Sequence, residues 1–132
     1  MRTIKFRGKR VDNEKWVYGD LVNYSKIDPF TYITIGIGYK INNPEIGSAI
    51  KVYPDSIGQF IGLTDKNKKE IFSGDILRTD NQDIVEVIYE SIYASFGIWK
   101  KGWAFLSFFH EAVEPENCEV IGNIHENADL LK

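Results

Sequence analysis

The 132-residue sequence holds one cysteine, one methionine, four prolines and two histidines. With Cys118 alone, no internal disulfide can form, so the fold must rest on packing. No apolar run approaches the ~20 residues needed to cross a bilayer, because Gly, Lys or Thr interrupts each candidate. The stretch Thr3 to Arg10 is charged and alternating, unlike a secretory leader. Both observations predict a cytoplasmic protein. A basic excess is missing as well: the net charge is −3 and the pI about 5.4, which argues against a chain built mainly to coat nucleic acid.

Catalytic patterns are equally scarce. Gly58, Gly62 and Gly74 lie too far apart for a phosphate-binding loop, and no Gly-Lys-Ser/Thr follows them. No Ser, His and Asp set carries a nucleophile turn. His110-Glu111 and His125-Glu126 repeat a dipeptide but lack the i, i+4 spacing of a zinc-binding helix, and Cys118 has no cysteine neighbour. Asp80-Asn81-Gln82-Asp83 offers oxygen ligands without the spaced calcium loop, so it reads as a turn. The expectation is a protein with no catalytic residues, no metal and no cofactor.

Aromatic residues are abundant at 14%, against 43% hydrophobic and 27% charged, and such a composition favours strands. Thr3 to Arg7 alternates polar and apolar residues, Asp12-Asn13-Glu14 reads as a turn, and Lys15 to Tyr18 returns as a second strand. Residues 31–37 place Ile33, Ile35 and Ile37 on one face. The Asn42-Asn43-Pro44 cluster breaks the chain between residues 40 and 47. After Pro54-Asp55-Ser56, where Asp55 or Ser56 can cap a short turn, strands are expected at Ile57–Leu63, Glu70–Phe72, Ile76–Arg78, Ile84–Glu90, Phe96–Trp99, Trp103–Phe109 and Glu119–Ile124. Residues 111–117 form an acidic loop, and Glu126 to Leu131 alone has helical character, for about one turn.

Asn13 to Tyr18 followed by Gly19-Asp20 mirrors Asn67 to Phe72 followed by Gly74-Asp75, once Ser73 is skipped. Shared hairpin grammar explains this more economically than a duplicated unit. The predicted fold is mainly β: a small SH3-like barrel in the C-terminal half with an N-terminal β-hairpin extension. One domain is expected over 1–132, comprising a hairpin and variable region (1–53), a β-barrel portion (54–127) and a tail (128–132).

Three stretches carry a family resemblance. Ile4 to Arg10 through Trp16-Val17-Tyr18-Gly19, then Ile57 to Asn67 continuing to Gly74-Asp75-Ile76, then Val120 to Asn127, together resemble the YopX family of phage and prophage proteins. The resemblance implies a largely β fold with an SH3-like barrel and a bacterial host cell as the setting, and it implies no reaction. Its motif residues here are Phe6, Arg7, Gly19, Gly58, Gly62, Asp65, Asn67, Gly74, Asp75, Gly122 and Asn123. Glu14 and Lys68 depart from the pattern, because family members often have Gly after the Asn, where a positive φ would suit it.

Charge is spread unevenly. Arg2, Lys5, Arg7, Lys9, Arg10 and Lys15 face only Asp12 and Glu14 in the first fifteen residues, whereas Glu111, Glu114, Glu116, Glu119, Glu126 and Asp129 face only Lys132 after residue 110. The two ends either attract within one fold or meet between copies. Trp16, Tyr18, Phe96, Trp99, Trp103, Phe105, Phe108 and Phe109 exceed what one small barrel buries easily. The expected function is a non-enzymatic binding or assembly protein acting through protein–protein contacts, as a homo-oligomer or with a host or phage protein. A nucleic-acid binding module is the alternative. Arg2, Lys5, Arg7, Trp16 and Tyr18 are the candidate partner-binding residues under either reading.

Overall fold

A computed structural model describes residues 3–23, 31–34, 49–102, 107–108 and 114–132. The described chain is mainly β and antiparallel, and it divides into two compact units, residues 1–59 and 60–132.

In the first unit, β1 (Phe6–Lys9) and β2 (Trp16–Asn23) form a hairpin, and β3 (Thr31–Thr34) and β4 (Ala49–Val52) extend it in the order β4-β3-β2-β1. The opening residues of β5 (Gly58–Thr64) pair with the other side of β1, Gly58 opposite Arg7. Alternation sets the faces: Val17 opposes Gly8, and both turn toward Val52, which is fully buried. Phe6, Leu21, Ile50 and Ile57 pack around Val17 and Val52, and each such side chain contributes roughly 1.5–3 kcal/mol when wholly buried. An isolated antiparallel bridge joins Arg10 to Val52, with Val11 N donating to Lys51 O and Tyr53 N to Lys9 O. This bridge brings β4 back to the end of β1. It also requires Gly8, because a Cβ there would lie 2.9 Å from the Val52 side chain.

A 3-10 turn at Pro54–Ser56 leads into β5. Its Ser56 is buried, accepting from Lys9 N at 2.8 Å and donating to Tyr53 O at 2.6 Å. Of the two residues expected to hold this turn, Ser56 is the one whose side chain ties it to β1.

In the second unit, the rest of β5 pairs with β6 (Glu70–Phe72) around an irregularity between Phe60 and Thr64 that contains Gly62 at φ +94°. β7 (Asp75–Arg78), β8 (Ile84–Glu90), β9 (Ser95–Trp99) and β10 (Ser107–Phe108) follow as a meander, and β11 (Glu119–Asn123) returns against β7. The resulting order, β10-β9-β8-β7-β11, is open. Among the described residues the strands therefore do not close into the barrel expected for this half. Leu77, Val85, Val87 and Ile98 share one face of that sheet and are buried with Ile71 and Cys118, while Ile61 and Val120 pack at the margin.

β4 is a strand that alternation did not reveal. The segment expected to be helical is shorter, a 3-10 turn at Ala128–Leu131. Residues 35–37 of the expected third strand, the break at 40–47, Trp103 to Leu106 and Phe109 of the strand before the acidic loop, and residues 111–113 of that loop lie outside the described residues.

Candidate functional site

The basic first strand is the obvious place to begin. Arg7 and Tyr18 are directly opposed on β1 and β2, and Lys9 opposes Trp16, so all four share one face with Lys5 just upstream. Position alone would make this a cationic, aromatic surface. Burial divides it. Tyr18 is 46% exposed, whereas Arg7 is only 6% exposed and holds its guanidinium carbon 5.0 Å from the centre of the Trp16 ring. A cation over an indole face is attracted by the ring's quadrupole, by up to about 2 kcal/mol when desolvated. Arg7 and Trp16 therefore belong to the packing of the first unit, and Lys5 and Tyr18 to its accessible surface. Arg10 is engaged locally, its Nε and Nη2 donating to the two Asp12 carboxylate oxygens at 2.8 and 2.7 Å. Arg2 lies outside the described residues.

Most of the remaining singled-out residues hold turns and strand ends. Gly19 opposes Phe6 within the first hairpin, and Gly58 is buried opposite Arg7. Asp65, 3% exposed, closes the β5–β6 turn: Oδ1 accepts from Asn67 N at 2.8 Å and Lys69 N at 2.9 Å, and Oδ2 accepts from Val120 N at 2.9 Å. Burial pushes this carboxyl up, but the three N–H donors and the nearby Lys69 outweigh it and hold it below the usual aspartate range. Asp75, also buried, accepts from Phe72 N at 2.8 Å across the tight link in which Gly74 adopts φ +92°.

At the close of β11, Asn123 Oδ1 accepts from His125 N and Glu126 N, both at 3.0 Å. Asn127 reaches back, Oδ1 accepting from Asn123 N at 3.2 Å and its own N donating to Asn123 O at 2.8 Å. Gly122 leaves the room this needs, since a Cβ there would lie 2.5 Å from Asn127 Oδ1.

Reactive chemistry is sparse by comparison. Burial, with Asp65 close by, pushes the Cys118 thiol up to about 11, so it stays protonated at neutral pH and donates to Pro115 O. Burial also raises the Glu86 carboxyl, which stands between Ile76 and Trp99 on the β7–β8–β9 ladder. Asp83, in the acidic turn, is held by Lys100 at 2.6 Å and by a backbone bond from its N to Thr79 Oγ1. Among the described residues, no three His, Cys, Asp or Glu side chains gather where an ion could sit, and no helix is long and apolar enough to cross a membrane. His110 lies outside those residues.

Sequence reasoning placed the β8–β9 turn between its two expected strands but did not single out the side chains it exposes. Ile92 is 83% exposed, Tyr93 61% and Tyr89 52%, on a hairpin end fixed by Ile92 N donating to Glu90 Oε1 and Tyr93 N to Glu90 O. The aromatic count signalled a surplus, but alternation cannot say which rings stay outside.

Antiparallel sheets whose signature residues brace turns and strand ends define a small, mainly β protein. The sequence matches the YopX protein family over residues 5–132, and the chain belongs to that family. Its fold is similar to the crystal structure of protein EF1440 from Enterococcus faecalis, with a TM-score of 0.58 over 100% of both chains at 22% identity. No curated protein matches the chain.

Proposed function

We propose that this chain is a phage- or prophage-encoded, non-enzymatic binding or assembly protein that acts through protein–protein contacts, as a homo-oligomer in the cytoplasm of a bacterial host. The observation that carries this reading is the β8–β9 hairpin end. Ile92 and Tyr93 are exposed on a turn held by backbone bonds, and Tyr89, at the adjoining end of β8, is half exposed with its ring edge-on to Phe96. Exposed tyrosines beside an aliphatic residue are the side chains that bind protein surfaces at low entropic cost. The meander β7–β8–β9–β10 with β11 returned to β7 is the connectivity on which we base an SH3-like description of the second unit.

Nucleic-acid binding is the second reading, favoured by exposed Tyr18 on β2 and by Lys5 just ahead of the paired strand β1, and weakened by the burial of Arg7. The test of the first reading is the solution mass of the parent chain against Ile92→Asp and Tyr93→Ser. Loss of assembly in those variants supports it. A parent that is monomeric, and that retains no bacterial or phage protein through this turn, overturns it.

A further inference from the structure

An edge strand presents unpaired N–H and C=O groups that invite another strand, and proteins commonly block such edges. β11 ends the sheet order β10-β9-β8-β7-β11, with β7 on one side. Its pairing with β7 shifts register between Val120 and Gly122, so Ile121 is the extra residue of a bulge.

The side facing away from β7 is occupied at both ends. Val120 opposes Leu77, yet its N–H donates to Asp65 Oδ2 at 2.9 Å rather than into the ladder, and the preceding Cys118 carbonyl accepts from Lys66 N at 3.0 Å. Beyond the bulge, Ile124 N donates to Gly74 O, on the β7 side. The N–H and C=O of neighbouring Asn123 therefore point the other way, and both are taken by Asn127. The two caps come from different directions in sequence, one from 55 residues upstream and one from four downstream.

We infer that Asp65 and Asn127 are edge guards, which close β11 to strand addition by a second copy of this chain. The inference gives a shared purpose to residues of two separate motifs. It also separates the guarded edge of the sheet, at β11, from the contact surface proposed above, which lies at the β8–β9 turn.

The test uses the full chain carrying Ile92→Asp, so that assembly through the β8–β9 turn does not mask the result. Into it are introduced Asp65→Ala, Asn127→Ala and, as a control that weakens the core without touching the edge, Val85→Ala. Circular dichroism checks folding and sedimentation velocity reads mass across a tenfold concentration range. The expected result is that each guard variant, still folded, at least doubles its mass with rising concentration while Val85→Ala does not. If Asp65→Ala fails to fold, Asn127→Ala, which frees Asn123 N–H on the edge while leaving the backbone bond from Asn127 N to Asn123 O, decides the question. Folded guard variants that stay at the mass of the Ile92→Asp chain overturn the inference, as does a Val85→Ala variant that associates equally.

Discussion

Among the described residues, four that are not glycine, Glu14, Lys68, Gln82 and Ala94, adopt a left-handed backbone conformation that their side chains disfavour, and the first two are the positions where the sequence departs from its family's glycine. Glu14 lies at φ +60° and Lys68 at φ +66°, each directly after an Asn in a hairpin turn, so both turns keep the left-handed geometry for which glycine is suited. Such a conformation costs an L-residue roughly 1–2 kcal/mol, and glycine returns part of that gain as unfolded-state entropy. Glu14→Gly and Lys68→Gly should therefore each raise stability by about 0.5 kcal/mol in urea melts, and a loss in both would contradict the assigned turns. Asp65 gives a pH dependence. Its folded-state pKa is depressed, so its contribution is fully present above the ordinary aspartate value of about 4 and is lost as pH falls through the lowered one. Melts between pH 5 and 2 should show this loss, and Asp65→Asn should flatten it while being less stable than the parent at pH 7. The Asn-centred turns were legible because their hydrogen bonds are local: Asn13 Oδ1 accepts from Lys15 N at 2.9 Å. The attachment of Asp65 to Val120 was not, because nothing in the residues around either position points to a partner 55 residues away.

Strands follow the alternation of their residues wherever one face is buried. Ile84 to Glu90 illustrates this, with Val85 and Val87 inside and Tyr89 reaching solvent past the end of the core. β4 escaped notice because Ala49-Ile50-Lys51-Val52 is short, and its pairing with β3 and Arg10 comes from tertiary structure. The mirrored hairpins share a turn and then diverge: Asp20 is an exposed residue within β2, whereas Asp75 is buried and closes the β6–β7 link. The divergence favours common hairpin grammar over duplication. Element ends also predict where a methyl group is not tolerated. Gly8→Ala presses on Val52 and Gly122→Ala on Asn127, and each should lower stability by about 1–3 kcal/mol. Thermal denaturation checks this, and an unchanged midpoint for either would show that its neighbour yields freely.

At the scale of the molecule, the β class and the location of the hairpins were legible, while the SH3-like barrel was an extrapolation from strand count, and the strand order among the described residues is open. The basic strand was legible as charge but not as burial, since β1 alone does not tell that Arg7 lies against Trp16. Nucleic-acid binding, if it occurs, should weaken steeply with salt and fall when Lys5→Glu and Tyr18→Ala are combined. Undetectable binding at low salt would remove that reading. Arg7→Glu is a poor test, because burying an unsuited charge unfolds the first unit whatever the surface binds. The measurement that bears most directly on the proposed function is light scattering of the parent chain at micromolar concentration beside Ile92→Asp. The account predicts a parent mass that is a multiple of 15.2 kDa and a variant mass reduced to the single chain. A parent at 15.2 kDa, unchanged by the substitution, would contradict self-assembly through the β8–β9 turn.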